Sequence, residues 1–245
     1  MTMWRNLSEQ AQAEPPVDVA FVFAGQELVA DPSGALWWPE QRMLVVADLH
    51  LEKASFYARR GQMLPPYDSI ATLERLASAV RRRDPRTVLL LGDSFHDSAG
   101  ADRLDPAAGD RLSHIGLGRD LVWIAGNHDE DLPAHLPGER LESIDLGGLH
   151  LRHQPDGGRR KAEIIGHFHP VARVGTPRGS VRRRCFIACA SRMVLPAFGS
   201  LAGGLNVRDA AIATLHGGAE RMAYVLGDTR VFPVREARLL PDRAW

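Results

Sequence analysis

Five short apolar runs have the length and composition of strands: 43–47 (MLVVA), 87–91 (TVLLL), 121–125 (LVWIA), 149–152 (LHLR) and 162–165 (AEII). Between the first two, residues 67–83 repeat apolar positions at helical spacing. Ile70, Leu73, Leu76, Ala77 and Val80 share one face, and Asp68 or Ser69 is placed to cap the start. From Cys185 onward the runs CFIACA, RMVLPAF, AAIATL and RMAYVL, separated by Gly and Pro, read as mostly β. Strands alternating with helices, then β runs, predict an α/β domain with a second packed sheet. Residues 1–16, ending in Glu14-Pro15-Pro16, read as a loose N-terminal extension, and 17–245 as one domain.

The residues just beyond each of the five runs carry the chemistry. The runs lead into Asp48-Leu49-His50, Gly92-Asp93-Ser94-Phe95-His96-Asp97, Gly126-Asn127-His128-Asp129, His153, and Gly166-His167-Phe168-His169. Ligands of open α/β sheets gather outside the carboxyl ends of strands. Asp, His and Asn are delivered there five times, beside glycines that let the backbone turn sharply. In Asp48-x-His50 and His167-x-His169, an extended backbone would point both side chains the same way. One such pair is common in ordinary loops. Five in order at strand ends are hard to reconcile with that reading.

Composition narrows the setting. The 245 residues carry 30 basic and 30 acidic groups and are 44% hydrophobic, which suits one domain and argues against a generic polyanion binder. No apolar run approaches the ~20 residues of a membrane span, and the first twenty residues lack a signal-peptide core. With only Cys185 and Cys189, a disulfide scaffold is not expected, and a reduced, cytoplasmic setting without membrane association is. Imidazole and carboxylate without thiolate suit Mn, Fe or Zn and not a structural zinc site.

The series Asp48-x-His50, Gly92-Asp93, Gly126-Asn127-His128-Asp129, His153, Gly166-His167-x-His169 resembles the calcineurin-type metallophosphoesterases. DLHLEK at 48–53, RRGQMLPPYDS at 59–69, LLLGDSFHDS at 90–98, GHFHPVAR at 166–173 and LPAFGSLAGGLNV at 195–207 are similar to the bacterial ligase-associated DNA damage response endonucleases. With Asp31-Pro32 and Trp37-Trp38-Pro39, that similarity covers most of residues 24–207. The broader pattern has Asp where this chain has His96, so a role for His96 does not carry over from it.

The resemblance implies a four-layer αββα sandwich of two packed mixed sheets flanked by helices, and a site for two divalent ions, with manganese first and iron or zinc possible. One ion would take Asp48, His50 and His169, the other Asn127, His153 and His167, with Asp93 bridging. His150 is the competing candidate for the His153 role, but it lies inside its strand pattern. Two ions ~3.5–4 Å apart hold a hydroxide for in-line attack on phosphorus. His128 would act as general acid with Asp129 orienting it. His96 and Asp97 either support the site or touch substrate.

The expected activity is a metal-dependent phosphodiesterase, an endonuclease on single-stranded DNA in bacterial repair, with association to a DNA ligase system implied by the family. The alternatives are a phosphatase or small-molecule phosphodiesterase with the same centre and, last, a non-catalytic scaffold. Basic clusters occur at Arg59-Arg60, 81–83, 159–161 and Arg178 with Arg182, Arg183 and Arg184. The last is the first choice for binding phosphate, and Trp37, Trp38 and Phe95 are candidates for stacking on bases. Residues 196–199 (PAFG), followed by Gly203-Gly204, read as a turn that packs over the site.

Overall fold

The computed structural model describes residues 15–157 and 162–242, so most of the expected N-terminal extension and the 159–161 basic cluster lie outside the described residues. The first sheet contains β1 (Val19–Phe23), β2 (Gln26–Ala30), β3 (Leu36–Trp38), β4 (Met43–Val46), β5 (Thr87–Leu91), β6 (Asp120–Ile124) and β7 (Glu139–Leu141), in that spatial order. β1 to β4 form an antiparallel meander, and β4 to β7 run parallel. Helices supply the crossovers: α1 (Lys53–Ala58) and α2 (Asp68–Arg83) follow β4, and α3 (Pro106–Gly116) follows β5.

The second sheet comprises β8 (Ser143–Leu146), β9 (Leu149–Arg152), β10 (Ala162–Ile165), β11 (Pro170–Thr176), β12 (Gly179–Ala188), β13 (Arg192–Val194), β14 (Leu205–Asn206), β15 (Met222–Leu226), β16 (Val231–Arg235) and β17 (Leu239–Leu240). β9, β10 and β13 are parallel neighbours, while β11 and β12 form a long antiparallel hairpin. Between the sheets lies an apolar layer that includes Leu28, Trp38, Val45, Leu89, Ile164, Phe186 and Leu195. The outer face of the first sheet packs on α2 and α3 through Leu73, Leu76, Val88, Leu90 and Leu112. Each such buried aliphatic or aromatic side chain contributes about 1.5–3 kcal/mol relative to exposure.

Both sheets are therefore mixed and packed face to face, with helices outside. On the second sheet the helical layer shrinks to α4 (Ala210–Ala213) and one 3₁₀ turn, Thr214–His216, under which Ile212 and Val207 are buried. That layer corrects one expectation, because AAIATL is helical and not a strand. Asp209 caps it by accepting from Ala211 N at 2.9 Å, and alanine is the best helix former, so local preference outweighs the short apolar run.

α2 begins within one residue of its expected start, but neither proposed residue caps it. The Asp68 carboxylate accepts from Ala54 N at 3.1 Å, and Ser69 exchanges hydrogen bonds with Glu52. Both side chains are spent tying α2 to the loop that carries His50.

Candidate metal centre

The five strand ends converge, although not at the edge of one sheet. β4, β5 and β6 bring Asp48, Asp93 and Asn127 from the first sheet, while β9 and β10 bring His153 and His167 from the second. Backbone bonds lock the loops together: Asp48 N donates to Gly92 O at 3.1 Å, His50 N to Asp93 O at 2.9 Å, and Gly166 N to His153 O at 3.1 Å. The Asp48 carboxylate joins the sheets directly by accepting from His167 N, 3.0 Å from each oxygen.

The backbone at these positions is not extended. Asp48, His50, Asp93, His167 and His169 have φ of 56°, 45°, 47°, 69° and 47°. Simple strand alternation therefore does not explain how the two D-x-H and H-x-H pairs converge. Left-handed residues cost energy that the surrounding structure must offset, and they concentrate at functional sites.

Two groups that include a carboxylate result, beside an all-histidine group of His50, His96 and His128. Asp48, His50 and His169 bring ligand atoms within 4.8 Å of one another, and so do Asp93, His153 and His167. His50 Nε2 lies 3.1 Å from His169 Nε2. His153 Nε2 lies 3.3 Å from Asp93 Oδ1 and 3.1 Å from Asn127 Oδ1, which also accepts from Gln154 Nε2 at 2.9 Å. Asp93 stands between the groups, with Oδ1 toward His153 and Oδ2 4.0 Å from His50 Nε2. His150 instead pairs with Asp145 at 2.9 Å.

The electrostatics suit cations. Asp48 and Asp93 are buried, and their ionic contacts among the described residues are with imidazoles, not with Lys or Arg. Buried carboxylates of this kind are paired or coordinate metals. Burial raises Asp93, but the His153 hydrogen bond and charge outweigh it and hold the carboxyl at about 2. Burial and the neighbouring His169 push His50 down to about 2, and burial with His153 lowers His167, so both offer neutral rings. The buried His50 Nδ1 has no hydrogen-bond partner. These oxygen and nitrogen donors fit borderline divalent metals, and the buried Cys185 and Cys189 lie elsewhere, in β12 and just beyond its end.

His128 is partly exposed beside this group. Its backbone N donates to Asp93 Oδ1 at 3.0 Å, its ring Nδ1–H donates to His96 O at 2.8 Å, and Nε2 lies 3.9 Å from Asp93 Oδ2. The orienting group is therefore the His96 carbonyl, which corrects the role expected of Asp129. Asp129 is buried and turned inward, accepting from Phe95 N at 3.0 Å and Gly126 N at 3.2 Å. Burial raises its carboxyl to about 7. Its work is to hold together the loops bearing Asp93 and Asn127.

The His96 ring packs between Tyr57 and His128 and is lowered to about 4 by burial and by Lys53. Asp97 is held by Arg103 at 3.0 and 2.5 Å.

The basic segment at 178–184 is not one phosphate-binding surface. Arg184 is half-buried and donates to Ala197 O, Ser200 O and Ala202 O at 3.0, 3.3 and 3.2 Å. Arg182 binds Gly204 O at 2.7 Å and Asp242 at 3.3 Å, and Arg183 lies 3.5 Å from Asp228. Arg178 occupies the turn beyond β11, whose seven residues place it roughly 20 Å from His169 at the ordinary strand rise. Arg82 and Arg83 are likewise engaged, by buried Asp31. Trp38 and Phe95 are core side chains, closed to any base, and Trp37 is partly buried.

Sequence reasoning did not anticipate the Arg184 clamp, which Arg75 joins by donating to Phe198 O. The clamped loop supports the site: Phe198 N and Gly199 N donate to Ala47 O and Asp48 O at 2.8 and 3.0 Å. A Cβ at Gly199 would lie 2.2 Å from Leu49 O. The packing expected of residues 196–199 is present, with half-buried arginines as its anchor. Gln154 was also missed; its place next to His153 was the available signal.

A two-sheet sandwich that gathers Asp, His and Asn from both sheets defines a metal-dependent phosphoester hydrolase. The family described as calcineurin-like phosphoesterase matches residues 41–219, and the chain belongs to it. Its divalent-metal chemistry agrees with the His and Asp clusters. Among solved structures, Pseudomonas putida nuclease MPE is 28% identical, with a TM-score of 0.68 over 89% of this chain and 100% of that one. The Escherichia coli phosphoesterase Yfce is 14% identical, with a TM-score of 0.40 over 78% of this chain and 97% of that one. No curated protein sequence matches. None of the helices among the described residues is long and apolar enough to cross a membrane.

Proposed function

We propose that this hydrolase is a manganese-dependent endonuclease acting on single-stranded DNA in bacterial DNA repair. The observation that carries the reading is Asp93, one carboxylate with an oxygen toward each of two ligand clusters. Asp48, His50 and His169 would hold one ion, Asn127, His153 and His167 the other, and Asp93 both. Divalent ions, when bound there, supply Lewis acidity toward phosphoryl oxygens and lower the pKa of water.

The chain itself supplies proton transfer and orientation. With Nδ1–H fixed on the His96 carbonyl, the other ring nitrogen of His128, Nε2, faces Asp93. Protonated there, it donates to the departing sugar oxygen, a poor leaving group that needs the proton. Asp129 keeps the His128 loop against Asp93 by accepting from Gly126 N.

The polymer substrate is supported by the full-length likeness to a Pseudomonas putida nuclease. The repair setting and association with a DNA ligase system are supported by the resemblance to the ligase-associated endonucleases at 48–53, 59–69 and 195–207. Two free, buried cysteines fit a reducing cytoplasm.

The test is metal-stripped protein reconstituted with manganese and offered circular single-stranded DNA, with a nitrophenyl phosphomonoester in parallel. Cleavage of the circle, which has no ends, supports the endonuclease. An intact circle beside a hydrolysed monoester overturns it in favour of a phosphatase.

A further inference from the structure

Among the described residues, Arg59-Arg60 is a basic pair with no ion-pair partner, and it lies beside the histidines of the site. α1 leaves the loop that carries His50, and its last turn packs on His96. The Phe56 ring meets that imidazole edge-on at 4.7 Å, and Tyr57 stacks on it at 5.7 Å. His96 in turn stacks on His128 at 5.4 Å. A ladder of rings thus leads outward from His128 to Tyr57. Phe56, whose ring meets Tyr57 at 5.4 Å, lines a neighbouring cleft of about 390 Å³ with Arg59, Arg60, Asp97 and Ala99.

Positive charge dominates there. Asp97 is already held by Arg103. Arg59 and Arg60 are exposed and form no ion pair among the described residues. Arg60 lays its guanidinium 3.6 Å from the centre of the Phe56 ring, so a flat cationic face is turned outward. The loop after α1 exposes Met63 and Tyr67, 82% and 70% accessible.

We infer that this cleft is the subsite for a nucleotide next to the scissile phosphodiester of a single-stranded polynucleotide. Arg59 and Arg60 bind the adjoining phosphate, while the Arg60 face and Tyr57 stack on the base. Guanidinium planes suit both phosphate and ring faces, and stacking of this kind tolerates any base. The inference rests on the nuclease reading, since a small phosphoester would not extend past His96.

The test is steady-state cleavage of a labelled single-stranded oligonucleotide by the manganese-loaded protein at several salt concentrations. Arg59→Gln/Arg60→Gln should raise KM about tenfold and flatten the log–log salt slope by about 1.4, two phosphate contacts at about 0.7 each. Tyr57→Leu should raise KM about tenfold, with the salt slope kept, because stacking releases no counterions. Unchanged KM and slope in the double variant, with wild type active, overturn the subsite and leave the nuclease reading standing. Wild-type protein that hydrolyses the nitrophenyl monoester but not the oligonucleotide overturns both.

Discussion

Gly92→Ala is the substitution that most sharply tests how the second ligand cluster is held. Gly92 sits at φ +78°, and a Cβ there would lie 2.3 Å from His153 Nδ1 and 2.4 Å from its Cγ. Gly25 is the control, since its φ is +83° but nothing lies within 4 Å of its Cβ position. A left-handed alanine costs about 1–2 kcal/mol, and the stiffer unfolded chain offsets about 0.4–1 kcal/mol of that. Gly25→Ala should therefore destabilise by no more than about 1.6 kcal/mol. Gly92→Ala adds an overpacking cost of about 1–3 kcal/mol, because the buried His153 ring must shift. Urea unfolding of the metal-free proteins measures the difference, and calorimetric manganese titration counts the ions. The expected result is a gap of about 1–3 kcal/mol between the variants and loss of one ion in Gly92→Ala alone. Equal stabilities with two ions in both would refute the packing argument.

Three further outcomes rest on particular contacts. Arg184→Leu removes three charge-assisted hydrogen bonds to the 197–202 loop and should lower stability by about 2 kcal/mol, read by urea unfolding; an unchanged midpoint would show that the clamp is idle. Burial lowers His153, but the Asp93 hydrogen bond and the Asp48 charge outweigh it and leave its pKa raised, so in metal-free protein it keeps a proton above the usual histidine range. A metal must displace that proton but need not displace one from His50, so acidification should empty the His153 half first; calorimetric titrations at weakly acid and weakly alkaline pH check this, and simultaneous loss of both ions would contradict it. His128→Ala should keep both ions and lose about 10²–10⁴-fold of its rate on DNA, but much less on a nitrophenyl diester whose leaving group needs no proton; an equal loss on both would reject the general-acid role.

The strand ends were legible because each depends on local information, an apolar run followed by Gly and a metal-ligating side chain. The features that escaped were tertiary. The left-handed backbone at Asp48, His50, Asp93, His167 and His169 is set by contacts between loops, including Asp48 with the His167 amide, that no local pattern encodes. Asp129 is adjacent to His128 in sequence, which suggested a pair, yet its carboxylate satisfies the Phe95 and Gly126 amides. Arginine runs were the least informative. Alternation along β12 gives Arg182, Arg183 and Arg184 different partners, so three charges adjacent in sequence do not make one surface. AAIATL misled because a short apolar run fits a strand or a buried helical turn equally well.

The most direct measurement is electron paramagnetic resonance of the manganese-loaded protein, beside its Asp93→Ala variant. A carboxylate shared by two adjacent ions predicts an exchange-coupled pair in the wild type that disappears in the variant together with hydrolysis. Two bound ions giving separate, uncoupled manganese spectra, or an Asp93→Ala protein that keeps both coupling and turnover, would contradict the shared site.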